Sequence, residues 1–134
     1  MIEIESRAGL RVGVSVRVRA HELVADVATE NGGDDAGPGP HDLYDAALGA
    51  CKAITVMLYA KRKGIAVERI GVVVTRDASA EHDGTYRLDA LLRIEGTVDE
   101  QQLRVLHDIA ERCPIHRLMT AVTTSIVTRI ERLG

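Results

Sequence analysis

The chain has 134 residues, 46% of them hydrophobic, which is the size of one compact domain and too short for two ordinary ones, so a single domain over residues 1–134 is expected. The apolar content is almost wholly aliphatic, with three tyrosines and neither Phe nor Trp, which excludes base stacking on aromatic side chains as a main binding device. The formal net charge of −3 is spread over interspersed acids and bases, which leaves no basic stripe for nucleic acid or an anionic membrane. The opening MIEIESRAGLRVGV alternates polar and apolar residues and lacks the basic-then-apolar order of a signal peptide. No stretch approaches the roughly 20 apolar residues of a membrane span. A cytoplasmic location is the expectation, and in that reducing compartment a pair of cysteines is more often catalytic, redox-active or metal-binding than a structural staple.

Residues 2–27 alternate apolar and polar side chains, most clearly at Val12, Val14, Val16 and Val18 and again at Leu23, Ala25 and Val27. The pattern predicts two or three antiparallel strands with turns near Ala8-Gly9 and Ala20-His21. The next segment, NGGDDAGPG, predicts an exposed loop. From Pro40 the period changes. Leu43, Ala47, Ala50, Cys51, Ile54 and Leu58 fall at offsets 0, +4, +7, +8, +11 and +15, one face of a helix over residues 40–63. Pro40 suits the first helical position, Asp42 and Asp45 suit the positive end of the dipole, and Lys61-Arg62-Lys63-Gly64 closes the helix with cations and a glycine. Asp45 and Lys52 are expected on the side away from the apolar face, yet the helix is apolar enough to need cover on most of its circumference.

Strands are predicted over 66–76 and 85–96, with His82-Asp83-Gly84 as the turn between them. A second helix follows with Thr97 or Asp99 as cap and Leu103, Leu106 and Ala110 on its buried face, stopping near Arg112. Cys113-Pro114 starts a short third helix, and residues 121–130, rich in Val, Thr and Ile, predict a final strand. The predicted order is β-β-(β)-α-β-β-α-α-β.

Cys51 lies on the apolar stripe of the long helix. It reads either as a small buried hydrophobe or as a nucleophilic thiol, and burial raises a thiol's pKa, so the second role needs a cation brought close. Lys52 is poorly aimed for that, since adjacent helical residues point about 100° apart. An arginine on an early strand is the expected donor. Cys113 stands where free backbone amides and the helix dipole favour a thiolate, so local physics alone makes it the more acidic of the two. Cys113 and His116 also resemble half of a metal site, to which Cys51, His41 or His107 could add, but structural zinc sites usually carry two close-spaced ligand pairs, and no metal is assigned. Gly37-Pro38-Gly39-Pro40 is not followed by Lys-Ser/Thr, so it is not a phosphate loop, and no nucleotide or other cofactor is assigned.

Taken together, Gly37-Pro38-Gly39-Pro40-His41-Asp42-Leu43-Tyr44-Asp45-Ala46-Ala47-Leu48-Gly49-Ala50-Cys51, then Tyr59-Ala60-Lys61-Arg62-Lys63-Gly64, then Cys113-Pro114-Ile115-His116-Arg117, resemble the OsmC/Ohr family. The resemblance implies an α+β fold with antiparallel sheets around a long central buried helix, built as an intertwined homodimer. It also implies cysteine-dependent reduction of organic hydroperoxides. In that scheme Cys51 attacks the peroxide and Cys113 resolves the product as a disulfide, which a small dithiol or dihydrolipoyl group reduces. Family members activate the attacking thiol with an arginine from the N-terminal strand region, to which Arg7 is similar, with Arg11 as substitute. A glutamate directly after the proline completes the family's set. Here that position is His41, about 15 Å along a straight helix from Cys51, with Asp42 one residue further on. The departure keeps a second function open: a non-enzymatic dimer that binds an apolar small molecule or acts as a thiol redox sensor.

Overall fold

The computed structural model describes residues 1–134. Three short strands come first: β1 (Ile2–Ser6), β2 (Val14–Val18) and β3 (His21–Ala25). They form an antiparallel meander in the order β1-β2-β3, with Ile4 opposite Val16 and Val16 opposite Leu23. The β2–β3 turn is tight, Val18 facing His21 across Arg19 and Ala20. The expected strands and turns are therefore present. The long helix, α1 (Pro40–Lys63), has the predicted bounds, and Gly64, at φ 68°, takes the left-handed C′ conformation that ends it at no steric cost. After it come β4 (Ala66–Asp77) and β5 (Arg87–Thr97), a second antiparallel sheet, then α2 (Glu100–Glu111) and α3 (Pro114–Ala121). The architecture is α+β, two antiparallel sheets and a long helix.

The chain gathers into two compact units, one made of Met1–Ala50 and Val72–Leu92, the other of Cys51–Gly71 and Arg93–Gly134. In the first unit Asp26 organises the glycine-rich segment. Its carboxylate accepts from the amides of Val27, Asp34 and Ala36, and its own amide donates to the Pro38 carbonyl. These bonds, that to Ala36 foremost, hold the Asp26 carboxyl below the usual carboxylate range. A stretch that reads as loose loop is thus tied down just where it delivers Pro40 to the helix start. Further along, Gly49 lets α1 lie against β4, since a Cβ there would meet the Val74 side chain at 2.9 Å.

The second unit has its core in Val56 and Ala60 of α1, Leu106 and Ala110 of α2, and Cys113. Asp99 caps α2: its side chain accepts from the Gln102 amide at 2.8 Å, and the Gln102 side chain accepts from the Asp99 amide at 3.1 Å. This reciprocal pairing satisfies two amides that would otherwise lack partners. Asp99→Ala is expected to cost about 1 kcal/mol of stability, read as a lowered midpoint in denaturant unfolding. An unchanged midpoint would show that the cap contributes nothing.

Two expectations need correction. The buried residues of α1 are Asp45, Leu48, Gly49, Lys52, Val56 and Ala60, whereas Ile54 and Leu58 on the predicted inner face are 60% and 61% exposed. The helix is apolar nearly all round, so hydrophobic periodicity could not choose its inner face. The two charges decide it by finding internal partners. Residues 122–134 form no strand; they run without regular structure and exposed, with Ile126, Val127, Ile130 and Leu133 all at least 81% accessible. A segment of high strand propensity still needs a neighbour to pair with. By length and composition α1 is also long and apolar enough to cross a membrane, against the expectation that no stretch approaches such a span.

Candidate functional site

In the second unit α2 ends at Arg112 and α3 begins at Pro114, and the residue between them, Cys113, is the N-cap of α3. An N-cap side chain is placed to accept from amides in the first turn, where four N–H groups lack helical partners. The Cys113 sulfur accepts from the His116 amide at 3.4 Å. Proline at the first helical position fixes the backbone angle and leaves the following amides free to point outward. One of these, from Ile115, donates to the sulfur of Cys51 at 3.5 Å. The two thiols are free, and both sulfurs lie at the first turn of α3.

Their surroundings differ. Cys113 is fully buried, whereas Cys51 is half-buried, with the Thr55 hydroxyl 3.9 Å from its sulfur. Burial pushes the Cys113 thiol above its ordinary value. The neighbouring Cys51 adds to that rise, while the His116 amide and the charge of Lys52 act against it. The expectation that Cys113 would be the more acidic thiol considered its helix end alone. Complete removal from water outweighs the dipole and a single amide.

Lys52 is the residue that the sequence reading misplaced. It is 4% exposed, and its ammonium donates to the Ala110 carbonyl at 2.8 Å and lies 2.9 Å from Nδ1 of His116. An ammonium only donates, so Nδ1 is the acceptor and the imidazole proton lies on Nε2. Adjacent side chains on a helix point about 100° apart, yet Lys52 and Cys51 both reach the first turn of α3. The lysine's two bonds tie it to α2 and α3.

The first unit holds a second polar cluster. Arg76 of β4 forms ion pairs with Asp42 and Asp45 of α1, and the Tyr86 hydroxyl donates to Asp45 at 2.7 Å. The Arg76 guanidinium, with help from the Gly39 amide, holds Asp42 below the usual carboxylate range. Burial and the Asp45 charge push Tyr86 up to about 12. His41 is exposed and pairs with Glu81 at 2.9 Å. With Pro40, Tyr44 and Tyr86 these two line an open cavity of about 410 Å³. Arg7 donates to the Ser15 hydroxyl at 2.9 Å and pairs with Glu22 at 3.5 Å, both on neighbouring strands. Arg11 is bound to Asp34 and the Gly33 carbonyl. The partners of Asp45 and Lys52 lie 31 to 64 positions away in sequence, beyond the reach of any local spacing rule.

A family model described as OsmC-like protein matches residues 32–127. No curated protein sequence matches the chain. Among solved structures, an OsmC-like protein from Mycoplasma pneumoniae is similar at a TM-score of 0.74 and 20% identity, covering 91% of this chain and 87% of its own. An organic hydroperoxide resistance protein from Legionella pneumophila is similar at 0.64 and 19% identity, covering 90% of each chain. The organic hydroperoxide resistance protein OhrB of Bacillus subtilis is similar at 0.59 and 20% identity, covering 90% of this chain and 91% of its own. At such identities the likeness is one of fold.

Proposed function

The chain belongs to the OsmC-like family, and from that membership we propose that it is a cytoplasmic thiol-dependent peroxidase, one domain over residues 1–134, that reduces organic hydroperoxides through Cys51 and Cys113. The observation that carries this reading is the meeting of the two sulfurs at the first turn of α3, each accepting one backbone amide there. Amides aimed at a sulfur stabilise the thiolate, and two thiols in contact are placed for exchange.

The chemistry follows from exposure. A hydroperoxide reaches half-buried Cys51 before fully buried Cys113. The Cys51 thiolate attacks the terminal peroxide oxygen; an S–O bond forms, the O–O bond breaks, and the electron pair leaves on the alkoxide, which takes a proton and departs as the alcohol. The Cys113 thiolate then attacks the Cys51 sulfenic acid, forming the S–S bond and expelling hydroxide, which is protonated to water. A small dithiol or dihydrolipoyl group restores both thiols and leaves as its own disulfide. Arg7 is proposed as the cation that serves Cys51 in the assembled protein. Its guanidinium is partly accessible, while Arg11 is bound to the glycine-rich loop.

The assembled protein is proposed to be a homodimer. The exposed Ile54 and Leu58 of α1, together with Ile2 and Ile4 of β1 and the apolar residues of 122–134, form more uncovered aliphatic surface than a single small chain ordinarily leaves in water. A second reading, a non-enzymatic dimer that binds an apolar small molecule or senses redox state, draws on the cavity lined by Pro40, His41, Tyr44 and Tyr86.

The test is consumption of cumene hydroperoxide by the reduced protein with excess dithiol. Peroxide loss well above that of protein whose thiols have been blocked by a maleimide is the expected result. Equal rates would overturn the peroxidase reading in favour of the second.

A further inference from the structure

We propose that Lys52 is the positioning residue of the thiol pair: its buried ammonium, fixed by the Ala110 carbonyl and the His116 imidazole, supports the thiolate of Cys113 for attack on oxidised Cys51. The proposal rests on the peroxidase reading for its catalytic meaning, though not for its electrostatics.

A lysine that is 4% exposed is unusual, because removing an ammonium from water is costly unless its donors are satisfied. Here one N–H finds a carbonyl at the end of α2 and another finds the imidazole of α3. The lysine therefore ties together three elements: its own helix, the last turn of α2 and the first turn of α3. Those same elements carry the two sulfurs. A structural cross-link alone could be made by any neutral donor, whereas this position holds a charge whose effect on the buried Cys113 sulfur opposes the cost of its burial.

The groups that act on that sulfur are Cys51 and Lys52 from α1 and the His116 amide from α3, while α2 holds the lysine through the Ala110 carbonyl and ends at Arg112, next to Cys113 in the chain. Lys52 is the cation among them, and oxidation of Cys51 to a neutral sulfenic acid leaves its charge to act on Cys113. The resolving step then needs no arginine from outside the unit. His116 keeps the ammonium in place by offering Nδ1, so the His of Cys-Pro-Ile-His acts as a partner of the lysine.

The experiment is a pH titration of thiolate ultraviolet absorbance in a Cys51→Ser background, where Cys113 is the sole thiol. Lys52→Gln, which retains a donor without the charge, is expected to raise the Cys113 midpoint by about 1 pH unit or more, and Lys52→Arg is expected to restore most of it. An unshifted midpoint in folded Lys52→Gln protein overturns the proposal. Should that variant fail to fold, the protein with Lys52 intact decides: by reciprocity of coupled charges, the Lys52 ε-carbon NMR resonance must move through the Cys113 titration, and a flat resonance there overturns the proposal. A shifted midpoint in a protein that consumes no peroxide overturns the peroxidase reading and supports the electrostatic role of Lys52. Peroxide turnover with an unshifted midpoint does the reverse.

Discussion

Cys51→Ser is expected to abolish dithiol-dependent peroxide turnover, a loss on the order of 10³-fold or more, because a serine hydroxyl cannot take the place of a thiolate nucleophile. Cys113→Ser is expected to behave differently. Its Cys51 remains half-buried and accessible and still accepts from the Ile115 amide, so the first oxidation proceeds and a sulfenic acid accumulates. A small dithiol can reduce that acid directly, so partial turnover persists. The contrast follows from exposure: Cys113 has no accessible surface and cannot be the first thiol to meet a peroxide. Peroxide remaining against time, measured for both variants, checks the assignment. Full activity in Cys51→Ser, or equal loss in the two variants, would contradict it.

Removing residues 122–134 is expected to dissociate the proposed dimer. The segment carries Val122, Ile126, Val127, Ile130 and Leu133, none of them buried within the chain, and its Val, Thr and Ile content suits a strand for which the single chain offers no partner. Pairing with a second copy would supply the missing neighbour and cover the exposed Ile54 and Leu58 of α1. Light scattering is the measurement. The intact protein should weigh about twice its 14.5 kDa chain, and the shortened one should fall to a single chain or precipitate through its uncovered apolar surface. An intact protein that is monomeric at micromolar concentration would contradict the dimer, as would a shortened protein that stays dimeric.

Much of this was legible in the sequence where the signal is local. The bounds of α1 are marked by Pro40 at one end and the cations with Gly64 at the other, and the cap of α2 was narrowed to Thr97 or Asp99, of which the structure uses Asp99. Alternation drew the first sheet, whose register needs only a period of two and short turns. What stayed hidden depends on partners distant in sequence. Asp45 and Lys52 read as solvent-facing because nothing nearby announces Arg76, Tyr86, Ala110 or His116. Cys113 read as the acidic thiol because its helix end is local while its burial is not. The tail read as a strand because propensity describes a residue's fit to a sheet without supplying one.

The two cysteines were singled out through their resemblance to a family pattern, and in the structure each sulfur accepts one amide from the first turn of α3. Arg76 carried no signal in the sequence. It holds Asp42 and Asp45, so the carboxylate next to His41 is already engaged by a strand residue.

The central claim, that Cys51 and Cys113 act as one redox pair, is tested most directly by peptide mapping without reductant after treating the reduced protein with one equivalent of an organic hydroperoxide. The account predicts a cross-linked peptide joining Cys51 to Cys113 within one chain, lost again on adding dithiol. Recovery of both cysteines as free thiols, or of Cys51 joined only to another chain, would contradict it.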